Sequence, residues 1–295
     1  MPKTTFFSRL LRPLLKRRDP IVPVVRLSGV IGQVGPMRAG LTISLVAPLL
    51  ERAFSIRKAK AVAIIVNSPG GSPVQSSLIY KRIRDLASEH DRKVLVFVED
   101  AAASGGYWLA CAGDEIFVDH SSIVGSIGVV SAGFGFVELI EKIGVERRLY
   151  ATGANKGMLD PFTPEDPAQV EKLRQIQNDM LATFKALVRN RRDGRLTTPD
   201  EVLFDGSFWA GTRAVELGLA DSVGELRSVL RARFGDKVRM PMISARRSLL
   251  SFWGPQSGMS GGGRIEEAVG AALDRMPDAV LAAAEERALW ARYGL

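Results

Sequence analysis

The chain has 295 residues, of which 46% are hydrophobic and 24% are charged, and its formal net charge is +8. This length allows one large domain or two small ones with a substantial core. Six basic residues and one acidic residue within positions 1–20 account for +5 of the charge, which leaves the remainder nearly balanced and excludes a basic nucleic-acid-binding body. One cysteine and two histidines exclude an internal disulfide and disfavour a soft-metal site. We expect no cofactor, no metal and no nucleic-acid partner.

Residues 1–20 form a tail in which apolar pairs alternate with arginines. The tail is too short and too charged to span a bilayer, and it lacks the residue order of a signal peptide. Two interpretations stay open: an amphipathic anchor that makes peripheral contact with an anionic membrane, or a disordered basic arm. No other stretch has transmembrane length. We therefore expect a cytoplasmic protein, or one peripheral to the cytoplasmic membrane.

Residues 21–239 are predicted to form the main domain, in which strands and helices alternate. Apolar runs predict strands at 22–31, 59–66, 93–99, 115–118, 128–131 and 146–151. Helical spacing of apolar residues predicts helices at 41–53, 76–89, 105–112, 137–143 and 164–192, and a helix-rich segment at 198–219. The alternation predicts an α/β fold of parallel βαβ units. Cys111 lies in an apolar helical run, where a buried core thiol is expected.

Residues 240–295 are predicted to be a helical C-terminal extension. They contain a Gly/Ser-rich linker at 254–263 and an Ala-rich helix at 265–293. No motif in this extension indicates an activity of its own.

A serine stands at the corner between a predicted buried strand and the next helix. Ser104 follows three alanines and precedes Gly105 and Gly106, so only small side chains flank its hydroxyl. A second glycine turn, Gly70 and Gly71, follows the preceding buried strand. Because parallel strands end at the same edge of a sheet, the N–H of Gly105 and that of Gly70 or Gly71 can together bind an oxyanion. Ser104 is therefore the predicted nucleophile.

Lys156 is the candidate general base for this serine. It follows the predicted strand 146–151 and lies among small and apolar residues. A lysine amine is protonated in neutral water, so it acts as a base only where its surroundings desolvate it. Ser126, in a third glycine-containing turn, is a candidate to orient the amine, although a purely structural hydroxyl is equally expected there.

A histidine base is the alternative that the residues leave open. Ser104, His120 and either Asp100 or Asp119 supply the residue types of a Ser-His-Asp triad. Neither His120 nor His90 has the small-residue surroundings of a site. The Ser/Lys dyad is the favoured interpretation.

Several segments in this order resemble signal peptide peptidase A, the family of protease IV and its SohB relatives. The segments are 67–71, 103–108, 125–129, 153–156, 208–211 and 214–221. The resemblance extends over roughly residues 22–230 and implies a ClpP/crotonase-like fold. Membrane-bound members of the family have an N-terminal transmembrane helix, where this chain has only the basic tail.

The resemblance also implies roles for individual residues. It makes Ser104 the nucleophile, Lys156 the general base, and Ser126 a candidate lysine-orienting hydroxyl. It makes Gly71 and Gly105 the oxyanion donors. It further implies a bowl-shaped homo-oligomeric ring in which neighbouring subunits complete the dyad.

The sequence thus predicts a serine endopeptidase that cleaves apolar peptides, such as remnant signal peptides or membrane-protein segments, at the cytoplasmic membrane face. A crotonase-type acyl-CoA enzyme is one alternative, because it shares the fold and uses paired backbone N–H groups. An inactive, membrane-peripheral scaffold of the same fold is the other. Labelling of the serine by a fluorophosphonate probe separates the peptidase from both.

Overall fold

The apolar runs of the sequence form a mostly parallel seven-stranded sheet in the computed structural model, which describes residues 19–33, 40–244 and 276–295. The strands are β1 (Val24–Ser28), β2 (Val62–Ser68), β3 (Val94–Ala103), β4 (Glu115–Val118), β5 (Ile123–Gly125), β6 (Phe208–Ala210) and β7 (Ser222–Val223). Their order is β1-β2-β3-β4-β7, all parallel, while β5 pairs in parallel with β3 and β6 pairs antiparallel with β5. The predicted α/β class is confirmed.

Helices connect the strands and cover the sheet. They are α1 (Ile43–Phe54), α2 (Pro73–Glu89), α3 (Gly105–Ala110), α4 (Val137–Lys142), α5 (Pro167–Arg191), α6 (Asp200–Leu203), α7 (Gly211–Glu216), α8 (Leu226–Phe234) and α9 (Met276–Ala291). Side chains cap several of them, as where the Ser72 hydroxyl accepts from Gln75 N at 3.3 Å at the start of α2. Positions 1–18 of the predicted tail, the predicted linker, and positions 265–275 of the predicted last helix lie outside the described residues.

Two apolar clusters fill the space on the two faces of the sheet. All seven residues of β2 are buried, as expected for a parallel strand covered on both faces. The larger cluster includes residues of α1, α2, α3 and α5, and the smaller one includes Phe97, Phe117 and Leu230 of α8. Cys111 belongs to the larger cluster, which confirms the predicted core thiol, and burial raises its pKa to about 12.

Strand β3 changes partners along its length. Its first half pairs residues 95–97 with β4, and its second half pairs residues 101–103 with β5. At the division, the Ser122 hydroxyl donates to the carbonyl oxygen of Glu99 at 2.6 Å. The end of β3 is therefore held between β2 and β5, and this placement positions the residue that follows it, Ser104.

A buried ion pair connects the end of α5 to the sheet. Arg192 is 1% exposed, and its Nε donates to Gly218 O at 2.8 Å. Its Nη1 lies 2.9 Å from Asp221 Oδ2. Asp221 in turn accepts from Ile116 N of β4 at 2.7 Å. The pair therefore links helix, strand and turn in one network, as buried charges require.

Residues 128–165, here called the arm, leave the body of the domain, and none of them is buried within the single chain. Its exposed apolar side chains are Val130, Phe134, Leu139, Ile143, Val145, Leu149, Tyr150, Leu159 and Phe162. The arm folds on itself: Phe136 stacks on Phe162 at 5.5 Å, and Arg147 pairs with Asp160 at 3.1 Å. Exposed apolar surface on this scale is typical of a surface that contacts another molecule.

Two sequence predictions are wrong at the level of elements. Residues 128–131 and 146–151 form no strand, and β5 lies a few residues earlier than the first of them. Both segments belong to the arm, where apolar side chains meet no sheet within this chain. The helix-rich segment 198–219 also includes strand β6, which pairs with β5.

Candidate active site

Ser104 stands at the sharp corner between β3 and α3. Its backbone has φ 52° and ψ −119°, a conformation that residues other than glycine adopt only under strain. The corner is fixed on both sides, since Ser104 N donates to Gly125 O at 2.8 Å and Trp108 N donates to Ser104 O at 3.1 Å. A strained strand-to-helix turn that exposes a serine hydroxyl is the arrangement known from nucleophile elbows.

The glycine turn after β2 lies directly against Ser104. A Cβ built on Gly70 would lie 2.8 Å from Ser104 Cβ and 3.1 Å from Gly105 N. Gly71 N lies 3.4 Å from the position of a Cβ on Gly105. The two turns that were expected to meet at the sheet edge are therefore in contact.

The hydrogen bonds distinguish the two glycines that the sequence left as alternatives. Gly70 N donates to the Ser68 hydroxyl at 3.2 Å, so this N–H is already used. Among the residues described, Gly71 N and Gly105 N donate to no protein group. The pair of free donors beside Ser104 is therefore Gly71 and Gly105.

Ser126 lies on the other side of Ser104. It follows Gly125, whose carbonyl oxygen accepts from Ser104 N, and it has a positive φ of 52°. Ser126 N donates to Ser207 O at 2.7 Å, which ties the turn to the chain before β6. Its hydroxyl lies 3.2 Å from the Tyr293 hydroxyl. The structure thus places Ser126 beside the serine corner.

Lys156 is in the arm and is exposed in the single chain. Its backbone forms a turn in which Lys156 N donates to Gly153 O at 3.1 Å. The neighbours expected to desolvate it, such as Leu159 and Phe162, are themselves exposed. No contact between the side chains of Lys156 and Ser104 is present among the described residues.

The histidines have other partners. His120 Nδ1 lies 3.0 Å from the Thr212 hydroxyl on an exposed edge, and the His90 ring stacks on Phe54 at 6.3 Å. Asp100 accepts from Asn67 Nδ2 at 2.7 Å. Within the described part of the chain, these contacts assemble no Ser-His-Asp triad.

Two residues near the site were missed from the sequence. The hydroxyl of Ser68, which is buried at the end of β2, accepts a hydrogen bond from Gly70 N, so Gly71 is the glycine of this turn with a free N–H. Tyr293 reaches the site from the end of the chain, where its hydroxyl lies 3.5 Å from Pro69 O. No sequence signal indicated Tyr293, because the contact joins residues that are 224 positions apart.

An α/β chain with a serine on a strained corner beside two free backbone N–H groups has the layout of a serine-type hydrolase. The model of peptidase family S49 matches residues 87–236, just over half of the chain. The chain therefore belongs to peptidase family S49. The match includes Ser104, Gly105, Ser126 and Lys156, whereas Gly71 precedes it.

Individual relatives give the same class under several names. Serine protease SPPA, chloroplastic, of Arabidopsis thaliana is 32% identical over 234 residues, which are 76% of this chain and 33% of that protein. Putative signal peptide peptidase SppA of Enterococcus faecium is 33% identical over 177 residues, 59% of this chain and 50% of that protein. The predicted resemblance and the predicted class, a serine-type peptidase, are confirmed.

A more similar relative has an unrelated name. The protein of Brucella abortus named Na(+)/H(+) antiporter NhaA is 54% identical over 292 residues, which are 97% of this chain and 39% of that protein. The chain thus spans between a third and a half of the length of these three relatives. The family match, and not the antiporter name, identifies the class of the matched region.

In the part of the chain that the structure describes, no helix combines the length and the apolar character needed to cross a membrane.

Proposed function

We propose that this protein is a serine endopeptidase that cleaves apolar peptides with a Ser104/Lys156 dyad. The observation that supports this most strongly is the serine corner: Ser104 has a positive φ and adjoins the free N–H groups of Gly71 and Gly105. Backbone strain of this kind persists only where the surrounding structure enforces it, and strained residues cluster at active sites.

The proposed reaction is acyl transfer from peptide to serine and then to water. Neutral Lys156 accepts the hydroxyl proton as Ser104 Oγ attacks the peptide carbonyl carbon. The Gly71 and Gly105 N–H groups donate to the oxyanion of the tetrahedral intermediate. The lysine ammonium gives its proton to the departing amine, and neutral Lys156 then accepts a proton from the water that attacks the ester carbonyl. As the bond to Ser104 Oγ breaks, the ammonium returns this proton to Oγ, which restores the serine hydroxyl and the neutral amine. Ser126 is proposed to orient the amine.

A second copy of the chain is proposed to provide the environment that Lys156 needs. A lysine acts as a base only when it is desolvated, yet Lys156 is exposed in the single chain. The arm that bears it also exposes nine large apolar side chains, including Phe134 at 82% and Tyr150 at 89%. A neighbour that covers the arm would bury these side chains and desolvate the amine together. We therefore propose a homo-oligomeric ring in which Lys156 serves Ser104 of an adjacent subunit.

The proposed substrates are extended apolar segments such as remnant signal peptides or membrane-protein segments, cleaved at the cytoplasmic membrane face. The names of two relatives, signal peptide peptidase SppA and serine protease SPPA, support this class. The residue types around the serine corner agree, because small residues allow a peptide backbone to approach closely.

The test is hydrolysis of a panel of fluorogenic apolar peptides by purified variants. Ser104→Ala and Lys156→Ala should each abolish hydrolysis while the Tm stays close to that of the wild type. Lys142→Ala is the matched control, because it removes another exposed arm lysine and should leave hydrolysis unchanged. Activity in Lys156→Ala equal to that of the control would overturn the dyad.

Mixing the two inactive variants tests whether neighbouring subunits share the dyad. In a ring assembled at random from equal amounts of the two variants, about one quarter of the head-to-tail interfaces bring an intact Ser104 next to an intact Lys156. About one quarter of the wild-type activity should therefore return. No recovery after subunit exchange would place both residues in the same subunit.

A fluorophosphonate probe separates the peptidase from its two alternatives. Stoichiometric labelling of the wild type, absent in Ser104→Ala, is expected for an activated serine nucleophile. An acyl-CoA enzyme of the crotonase type or an inactive scaffold should not react.

A further inference from the structure

The Tyr293 side chain bridges the two turns that flank Ser104. On one side, Pro69 precedes Gly70, whose backbone lies against Ser104. On the other side, Ser126 follows Gly125, which accepts from Ser104 N. The Tyr293 hydroxyl lies 3.5 Å from Pro69 O and 3.2 Å from Ser126 Oγ, so it connects the two turns.

The tyrosine ring is held by an aromatic contact as well. It meets the ring of Phe208 edge-on, with centroids 5.0 Å apart and planes at 80°. This geometry is the favoured one for aromatic pairs. Phe208 belongs to β6, which pairs with β5 and so forms part of the same side of the site. Three separate contacts thereby hold Tyr293, which follows α9, against the two turns that flank the serine corner.

We propose that the C-terminal residues around Tyr293 act as an internal competitive inhibitor that occupies the peptide-binding cleft. The inference rests on the proposed peptidase function. A peptide that reaches Ser104 must enter the same opening between Pro69 and Ser126. The Pro69 carbonyl is also a main-chain acceptor of the type that binds extended peptides, and Tyr293 uses it. Substrate and Tyr293 therefore exclude each other.

The contacts are weak enough for the residues around Tyr293, here called the plug, to leave the cleft and bind there again. The two hydroxyl contacts are long for O–H···O bonds, which are usually near 2.7–2.8 Å. The ring is only partly buried. A plug of this kind raises the apparent KM in inverse proportion to the fraction of time that the cleft is open, and it leaves kcat unchanged.

The test compares KM and kcat of Tyr293→Phe and Tyr293→Ala with those of the unmutated 295-residue chain. Tyr293→Phe keeps the ring and loses the hydroxyl, so KM should fall by roughly threefold, the scale of one modest hydrogen bond. Tyr293→Ala also loses the ring contact, and KM should fall by about tenfold. Arg292→Ala, a change of the adjacent exposed residue, is the matched control and should leave both constants unchanged.

The outcomes separate this inference from the proposed function. A fall in kcat for both Tyr293 variants would show that Tyr293 positions Ser126, and it would overturn the plug. Unchanged kinetics in an otherwise active enzyme would also overturn it and leave the peptidase assignment intact. If wild type and Tyr293→Ala neither hydrolyse peptides nor react with a fluorophosphonate, both proposals fail. Faster labelling of Ser104 in Tyr293→Ala than in Arg292→Ala is the supporting result that requires no peptide.

Discussion

Replacing Gly71 by alanine tests the proposed oxyanion donors at a position where the surrounding backbone leaves no room for a side chain. Gly71 has φ +138°, and a Cβ there would overlap the Ile31 carbonyl oxygen. Both groups are backbone, and neighbouring hydrogen bonds hold them together: Ile31 N donates to Gly70 O and Ser72 N to Ile31 O, each at 2.8 Å. The turn must therefore shift, and the Gly71 N–H moves away from Gly105.

The expected magnitude follows from the loss of one donor to the oxyanion. Removing such a donor lowers kcat by about 100- to 1000-fold, equivalent to roughly 2.7–4 kcal/mol. The KM should change little, because the donor binds the transition state more strongly than the substrate. The strained backbone should in addition lower the free energy of unfolding by roughly 1–3 kcal/mol.

The assay is steady-state hydrolysis of an apolar fluorogenic peptide, with the Tm of each variant measured alongside. Gly29→Ala is the matched control for backbone strain. Gly29 also has a positive φ, +105°, but a Cβ there would meet no atom within 4 Å. Gly29→Ala should therefore lose stability on a similar scale and keep its kcat.

A folded Gly71→Ala protein that turns over as fast as Gly29→Ala would refute the assignment of Gly71. If Gly71→Ala does not fold, Gly105→Ala examines the same donor pair. The new Cβ in Gly105→Ala would lie 2.5 Å from the Ser76 hydroxyl oxygen, a side-chain atom. The Gly105 backbone must shift to relieve this contact, which moves its N–H from the position that binds the oxyanion, so kcat should fall. Adding Ser76→Ala removes that clash and should restore part of the activity.

The other predictions concern stability and reactivity. Arg192→Leu removes the buried partner of Asp221, which keeps Arg195 at 3.1 Å, and should lower the free energy of unfolding in urea by about 2 kcal/mol; a change within error would contradict the network. Cys111 should not react with Ellman's reagent at mildly alkaline pH until urea unfolds the chain, since burial raises its pKa to about 12. For Glu225, desolvation raises the pKa, but hydrogen bonds from backbone N–H groups at the start of α8 outweigh it and hold the pKa below its ordinary value. This stabilisation is present above the unfolded pKa and is lost as pH falls through the folded one. Glu225→Ala should therefore cost about 1 kcal/mol near neutral pH and converge with wild type in acid.

The buried part of the fold was predictable from the sequence because its periodicity is local. The apolar run of β2 and the helical spacing of α2 and α5 each predicted the right element, with ends displaced by a few residues. The arm was not predictable, since runs such as 146–151 have the composition of a strand without a sheet beside them. Under the proposed ring, a neighbouring subunit covers these side chains.

The candidate site also has a part that the sequence predicts and a part that it does not. The small-residue corner at Ser104 and the paired glycine turn are visible as patterns. The distinction between Gly70 and Gly71 is not, because it depends on the Ser68 hydroxyl accepting from Gly70 N. Tyr293 contacts Ser126 across 167 positions, a separation at which residue patterns give no information.

The backbone of Ser104 has a consequence for the balance between stability and function. Glycine adopts φ 52° and ψ −119° freely, whereas a residue with a Cβ is strained by roughly 1–3 kcal/mol in such a conformation. Glycine in turn loses about 0.5–1 kcal/mol through the entropy of the unfolded chain. Ser104→Gly should thus be at least as stable as the wild type, and it has no hydroxyl to acylate. The fold therefore does not require a serine at this corner, and under the proposed peptidase function the serine is kept for its hydroxyl.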